Sequence, residues 1–150
     1  MLFYEDMTPG ESITSPTVAV DRDEMVAFAK RWDPMPFHID DAAGRAAFGG
    51  ITAPGLFVLA IKQQLIHQLS DRHAVIASLG YDELRFHAPV RPDDTLHLKF
   101  DCVSRRESKS KADRGIVTVR LSLINQAGVT VLSHLDTILV RRRNPRADVE

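Results

Sequence analysis

Two titratable residues, Asp33 and His38, flank a short segment that contains Pro34 and Pro36. Each proline fixes its own φ and restricts the residue before it, so we expect a defined loop here rather than a helix. A carboxylate beside an imidazole can orient one water molecule, and histidine changes its charge near neutral pH. The pair is therefore a candidate for general acid–base chemistry. Either residue alone is more typical of a structural role, as a turn aspartate or a hydrogen-bonded histidine.

The start of an apolar segment after Pro54 is the second candidate element. We expect a helix from Gly55 onward, because Leu56–Ile61 is apolar on every side and polar residues return only at Lys62. This pattern is typical of a helix that is buried all round. The first N–H groups of a helix lack partners within it and carry the positive end of its dipole. The N–H of Gly55, where glycine permits close approach, could therefore stabilise negative charge on a carbonyl oxygen.

Two further helices are expected to hold the candidate pair in place. The first opens at Asp21, whose carboxylate can cap it, and ends before Pro34. The second starts near Asp40 or Asp41, with Asp40 as its cap, and ends at residues 48–50, Phe-Gly-Gly. The residues expected to face inward are Met25, Phe28, Ala29 and Trp32 in the first helix and Ala43, Ala46 and Ala47 in the second.

Alternating apolar residues in the second half of the chain predict strands with one buried face. The alternation is clear at Leu96, Leu98 and Phe100 and again at Val117, Val119, Leu121 and Leu123. Residues 125–128, Asn-Gln-Ala-Gly, predict a hairpin turn, and residues 104–115 predict a longer polar connection. With a strand-like segment at 12–20, the pattern predicts one α+β domain over residues 1–150. Its curved antiparallel sheet, in which successive strands are neighbours, would wrap around the buried helix.

The composition indicates one compact soluble domain. The chain has 150 residues and a formal net charge of −1, so we expect no attraction to nucleic acid or an anionic membrane. Arg85, Arg91 and the run 141–143 are expected to be solvated. No apolar stretch is long enough to cross a bilayer, and the N-terminus lacks a signal-peptide pattern. The one cysteine, Cys102, cannot form an intramolecular disulfide, so we expect a cytoplasmic protein.

The remaining histidines do not indicate a metal site, because they lack a recognised ligand spacing and no cysteine cluster accompanies them. They are His67, His73, His87, His97 and His134. His97 and His134 fall in alternating strands at positions expected to face solvent. No serine lies in a glycine-flanked turn and no histidine neighbours Cys102, so covalent catalysis is disfavoured.

Three segments of the chain resemble the signature of the MaoC-like hydratases, which include the (R)-specific enoyl-CoA hydratases. They are DPMPFHID at residues 33–40, FGGITAPG at residues 48–55 and FHAPVRPDDTL at residues 86–96. The resemblance covers most of the chain. It implies a hot-dog fold, in which a curved antiparallel sheet wraps around a central helix.

The resemblance also implies an activity and its residues. Asp33 and His38 would orient the water that adds reversibly to a 2-enoyl thioester, and the Gly55 N–H would bind the thioester oxygen. The substrate would be coenzyme A-linked, with no separate cofactor and no metal. Members of the family usually act as dimers or fused double domains, so a homodimer or higher homo-oligomer is expected.

Two departures from the family pattern leave other functions open. Met35 stands where many members have asparagine, and Pro54 stands where many have histidine, which removes polar groups beside the proposed site. Altered acyl preference is one interpretation. A thioesterase on the same fold and a non-catalytic acyl-binding or partner subunit are the alternatives.

Overall fold

The computed structural model describes residues 1–145. After a 3-10 turn at Tyr4–Asp6, the elements in chain order are β1 (Ser12–Thr14), β2 (Val18–Ala19), α1 (Arg22–Trp32), α2 (Pro36–Ile39), α3 (Asp41–Phe48), α4 (Gly55–Ile66), β3 (Val75–Phe86), β4 (Thr95–Glu107), β5 (Arg114–Ile124) and β6 (Thr130–Arg141). The helices therefore precede the four long strands, as the hydrophobic periodicity predicts.

The strands form an antiparallel sheet of order β1-β4-β5-β6-β3, with β2 also paired to β4. The prediction that successive strands are all neighbours is wrong for β3, which pairs with β6 rather than β4. The outer edge of β4 is already occupied, because Ser12 of β1 lies opposite Asp101 and Val18 of β2 lies opposite Leu96. Strand β3 is consequently an outer edge of the sheet within the described residues.

One face of the sheet packs against α4 to form the core. The predicted inward residues of β4 and β5 are buried, and they cluster with the inner face of the helix. The members of this contact are Leu96, Leu98, Phe100, Val117, Val119, Leu121 and Leu123 of the strands and Phe57, Val58, Ile61 and Leu65 of α4. The predicted α+β architecture, with a sheet around a central helix, is confirmed.

The prediction that α4 is buried all round is wrong. Leu56 is 57% exposed, and Ala60 on the same side of the helix is exposed as well. The sheet covers only one side of α4, so the other side stays open in the single chain. Lys62, the first polar residue after the apolar segment, is in contrast only 1% exposed.

The segments around the candidate pair differ from expectation in two ways. Residues 36–39 form the helical turn α2 rather than a loop, because Pro36 occupies its first turn, where no N–H is required. In α3, Ala46 and Ala47 are exposed, and Gly44 is the buried residue. A Cβ at Gly44 would lie 2.6 Å from the backbone of Ile51, so this glycine allows the close contact.

The turns of the sheet agree more closely with the predictions from the sequence. The 125–128 hairpin is confirmed, with Gly128 at φ +76° and its N–H donating to the Asn125 carbonyl at 3.0 Å. The 104–115 connection is shorter than predicted, because pairing of β4 with β5 extends to Glu107 opposite Gly115. His134 does not face solvent as predicted but lies on the buried side of β6.

Candidate functional site

The chain brings Asp33 and His38 together across the junction between α1 and α2. Asp33 is the C-terminal cap of α1, and its N–H donates to the Ala29 carbonyl at 2.9 Å. Its own carbonyl accepts from the Met35 N–H at 2.8 Å, and the His38 N–H donates to the Met35 carbonyl at 2.9 Å. The tight backbone linkage between the two helices therefore sets the positions of both side chains.

The Met35 departure has a local consequence. Met35 is the N-cap of α2, and it makes no side-chain capping bond, whereas an asparagine at an N-cap can accept from the first turn. Its backbone carbonyl nevertheless holds the His38 N–H. The contact that positions the histidine backbone is thus independent of the side chain at residue 35.

The two titratable side chains face each other without a direct hydrogen bond. His38 Nε2 lies 3.6 Å from Asp33 Oδ2, and His38 is 8% exposed while Asp33 is partly exposed. His38 Nδ1 lies 2.6 Å from the Thr52 carbonyl oxygen, which can only accept, so Nδ1 carries a proton. In the neutral ring Nε2 is then an acceptor. Two acceptors at this distance suit a water molecule that donates one proton to each.

The Thr52 carbonyl is itself held by its neighbours. The Thr52 N–H donates to the Phe37 carbonyl at 3.3 Å, and the next N–H, of Ala53, donates to the Val90 carbonyl at 2.8 Å. The Phe37 ring meets the His38 ring edge-on, with centroids 4.6 Å apart. The imidazole is therefore fixed in both position and tautomer.

Gly55 begins α4 at the wall of a cavity of about 380 Å³. Within residues 1–145 its N–H donates to no acceptor, as expected for the first turn of a helix. A Cβ at Gly55 would lie 2.7 Å from Cζ of Phe86, so a larger residue here would require the ring to move. Asp33 and His38 do not line the cavity; Thr52, which lines it and bonds His38, connects the two parts of the candidate site.

The sequence did not indicate the roles of three residues in this region. Thr52 acts through a backbone carbonyl, which leaves no sequence signal, and Phe86 was noted only as part of a motif. Arg91 was expected to be solvated, yet its guanidinium donates to the Phe48 carbonyl and packs on the Gly50 backbone. Arg91 thereby fixes the turn that leads to Thr52.

The chain is similar to proteins of known sequence and structure. A family model described as a MaoC like domain matches residues 5–125 of the chain. The chain belongs to the MaoC-like family. Among solved structures, the MaoC-like dehydratase from Rhodospirillum rubrum superposes on this MaoC-like chain with a TM-score of 0.90 and 34% identity, covering 96% of this chain and 99% of that one. The predicted family resemblance is confirmed.

Relatives of the MaoC-like chain differ in length. The uncharacterized protein YdeM of Bacillus subtilis is 30% identical over 140 residues, which cover 92% of this chain and 98% of that protein. Mesaconyl-CoA hydratase of Cereibacter sphaeroides is 39% identical over 72 residues, which cover 48% of this chain but only 21% of that enzyme. The match to this hydratase is therefore partial.

The hot-dog fold is confirmed as well. A Mycobacterium tuberculosis protein described as having a double hot-dog fold matches with a TM-score of 0.78 and 22% identity, covering 99% of this chain and 46% of that one. At this identity the match bears on the fold alone. In residues 1–145, no helix has the length and apolar character needed to span a membrane. The same residues contain no cluster of three or more His, Cys, Asp or Glu side chains suited to a metal ion.

Proposed function

We propose that this MaoC-like protein is a hydro-lyase that adds water reversibly to a 2-enoyl thioester to give a 3-hydroxyacyl thioester. The observation that carries the proposal is the arrangement of His38, whose Nδ1 bonds the Thr52 carbonyl while Nε2 faces the Asp33 carboxylate at 3.6 Å. The proposed substrate is coenzyme A-linked, and we propose that the reaction uses no separate cofactor. The cytoplasmic location stays a prediction.

In the proposed reaction, a water molecule held by Asp33 and His38 is the nucleophile. One of its protons passes to the pair as its oxygen bonds to C3 of the substrate. The C2–C3 π electrons move towards C2 and the thioester oxygen, which gives an enolate. The pair then returns a proton to C2, so the elements of water are added and the pair is restored. General acid–base assistance of this kind accelerates such steps by about 10²–10⁴-fold.

The enolate oxygen requires a hydrogen-bond donor. The Gly55 N–H supports this role because it is unpaired within the described residues and lies at the positive end of the α4 dipole. The adjacent cavity has mostly apolar walls, including Val58, Phe86 and Val131, which suits an acyl thioester. The activities named for the Rhodospirillum and Cereibacter relatives are consistent with this reaction class.

The test is an assay with crotonyl-CoA that follows both enoyl absorbance and free thiol. We expect the absorbance to fall without thiol release. Asp33→Asn and His38→Ala should each lower kcat by about 10²–10⁴-fold, because each removes one holder of the water. Asp71→Asn and His97→Ala, which change the same residue types away from the site, should keep full activity.

Other outcomes of that assay identify the alternatives. Thiol release at the rate of enoyl loss would indicate a thioesterase on the same fold. Binding of enoyl-CoA without turnover in a panel of chain lengths would indicate a non-catalytic acyl-binding subunit. Full activity in both Asp33→Asn and His38→Ala would overturn the site assignment.

We also propose that the protein forms a homodimer through β3 and the open side of α4. The outer edge of β3 has no strand partner within residues 1–145. Leu79 and Phe86 on this strand and Leu56 on α4 are more than half exposed, and Tyr81 is partly exposed. An edge strand beside exposed apolar side chains favours pairing with another chain. The neighbour with two such folds in one polypeptide is consistent with a paired arrangement.

Light scattering coupled to size exclusion tests the dimer. The wild-type chain should elute with twice the mass of the monomer, and Leu79→Arg should shift it to the monomer. Val103→Arg, which places the same charge at an exposed apolar position on β4, should stay dimeric. A monomeric wild-type protein at micromolar concentration would overturn the proposal.

A further inference from the structure

A second polar cluster lies at the other end of α4, outside the site described above. Its centre is Lys62, whose side chain is buried, with only 1% of the residue exposed. Within residues 1–145, no carboxylate lies within 4.0 Å of its ammonium group; the partners of Nζ are the Tyr81 hydroxyl at 3.0 Å and Gln63 Oε1 at 3.2 Å. A buried cation whose partners are all neutral is costly, so a counter-ion would be favourable here.

The ammonium group determines how its two partners present their hydrogens. A lysine ammonium can only donate, so the Tyr81 oxygen and Gln63 Oε1 must both accept from it. The Tyr81 O–H proton and the Gln63 amide N–H₂ are then directed away from Lys62, and the amide nitrogen lies 3.4 Å from His67 Nε2, which leaves its second hydrogen for a ligand. Two hydrogen-bond donors, with a positive charge directly behind them, are the elements of a receptor for an anion or another strong acceptor.

Tyr81 and Gln63 line a cavity of about 490 Å³. Its floor is apolar and includes Phe100, Val119 and Ile138. The volume lies in the range of small-molecule sites, and the combination of an apolar floor with a few polar groups is typical of them. The cavity is a separate compartment in the single chain, because it shares no lining residue with the cavity at Gly55.

The charges around the cavity favour an anion at the Lys62 side. Arg72 lines it with a positive charge, and Asp136 lines it with a negative charge whose Oδ1 accepts from the Ser78 hydroxyl at 2.5 Å. With Lys62 behind the wall, the charged side chains at this cavity sum to +1 when the histidines are neutral. Two histidines, His67 and His73, line the cavity, and burial lowers the pKa of His73, so that side chain adds little positive charge.

A neighbouring histidine adds to the unsatisfied polarity of this region. His134 is 0% exposed, its ring lies 4.3 Å from the Tyr81 ring, and its Nε2 has no hydrogen-bond partner. Buried polar atoms are rarely left unpaired in folded proteins, and such exceptions call for a specific explanation. The unpaired nitrogen and the uncompensated ammonium group occur in the same cluster. Packing alone therefore does not account for the polar groups of this cluster.

We propose that this cavity binds an aliphatic carboxylate. Its hydrocarbon part contacts the apolar floor, and its carboxylate accepts from Tyr81 and Gln63, with Lys62 as the compensating charge behind them. The carboxylate belongs either to a free fatty acid or to the far end of an acyl thioester that reaches the cavity from the site of a second copy. The binding proposal does not depend on the reaction proposed at Asp33 and His38.

Isothermal titration of the full chain with octanoate, and with 1-octanol as the uncharged match, tests the binding. Octanoate should bind more tightly than octanol. Lys62→Met should weaken the binding of octanoate by about tenfold or more, as expected for a charge-assisted contact. Tyr81→Phe, at a partly exposed residue, should weaken it as well. Lys99→Met makes the same substitution at an exposed position and should bind like the wild type, while circular dichroism checks that each variant is folded.

A second measurement distinguishes the two sources of the carboxylate. Glutaconyl-CoA is a 2-enoyl thioester that ends in a carboxylate, and crotonyl-CoA lacks that group. If the carboxylate belongs to the thioester, Lys62→Met lowers kcat/KM for glutaconyl-CoA about tenfold and leaves crotonyl-CoA unchanged. If the ligand is a free acid, Lys62→Met weakens the binding of octanoate and leaves kcat/KM for both thioesters unchanged.

The outcomes separate this proposal from the proposed reaction. Equal binding of octanoate and octanol, or equal octanoate binding by wild type and Lys62→Met together with unchanged glutaconyl-CoA kinetics, would overturn the carboxylate site. Absence of turnover with every enoyl-CoA would overturn the hydro-lyase proposal and leave the octanoate result valid.

Discussion

The two ends of α4 carry polar clusters that are built in opposite ways. At the first end, Asp33, His38 and Gly55 lie within 23 residues of one another, backbone groups hold Asp33 and His38, and the Gly55 N–H is fixed by its place at the start of α4. At the other end, Lys62, Tyr81 and His134 come from α4, β3 and β6, and two of their polar groups lack a matched partner. The first cluster is preorganised without a ligand, whereas the second is incomplete without one.

The test with the largest expected effect replaces each of the two buried histidines, one at a time, with glutamine. His38→Gln should lower kcat with crotonyl-CoA by about 10²–10⁴-fold, because an amide cannot accept and return a proton at neutral pH. His134→Gln should stay within about threefold of the wild type, since it lies outside the reacting groups. Steady-state kinetics measure both. Equal losses would show that the two clusters act as one site.

A second test concerns the contact between Gly55 and Phe86. Gly55→Ala places a methyl group 2.7 Å from the ring and should cost about 1–3 kcal/mol through overpacking, with a lower kcat/KM. Phe86→Leu in the same chain should restore part of both losses by making room. Thermal melts and kinetics of the single and double variants measure this. Lack of any rescue would mean that the glycine is required for its backbone and not for its clearance.

The smallest expected effect is a pH dependence of stability from the second cluster. Burial lowers the pKa of His134, the Leu135 carbonyl opposes that change, and the nearby Lys62 adds to it. The folded state therefore holds a neutral ring, while the unfolded state takes up a proton as the pH falls below about 6.5. The stabilising contribution is present above that pH and is lost on acidification.

Urea unfolding between about pH 7.5 and 5.5 measures this dependence around the reference pKa of histidine. His134→Leu removes the titrating group, so its free energy of unfolding should fall less over the range than that of the wild type. A slope identical to that of the wild type would mean that His134 does not contribute to the acid sensitivity.

The comparison of the two ends also explains what the sequence could predict. The first cluster was found because a proline-rich segment and a glycine at a helix start are local signals. The strands followed from alternating apolar residues, and the turn at 125–128 followed from its glycine. The position of β3 beside β6 could not be predicted, because it depends on β1 and β2 already covering the edge of β4.

The second cluster could not be predicted for the same physical reason. Lys62 looks like the polar end of an apolar run, and His134 looks like the outward residue of a strand. Their burial depends on which side of α4 meets the sheet and on which side of β6 faces inward. The Thr52 carbonyl was missed because every residue has one, so its contact with His38 is visible only in three dimensions.

That carbonyl has an evolutionary consequence. The tautomer of His38 depends on a main-chain oxygen of Thr52, which almost any amino acid would supply. Substitutions at residue 52 that preserve the backbone can therefore accumulate without changing which imidazole nitrogen faces Asp33. The position of the proton on His38 is thus robust to mutation at residue 52. A different residue type at this position in another sequence does not by itself indicate that activity has been lost.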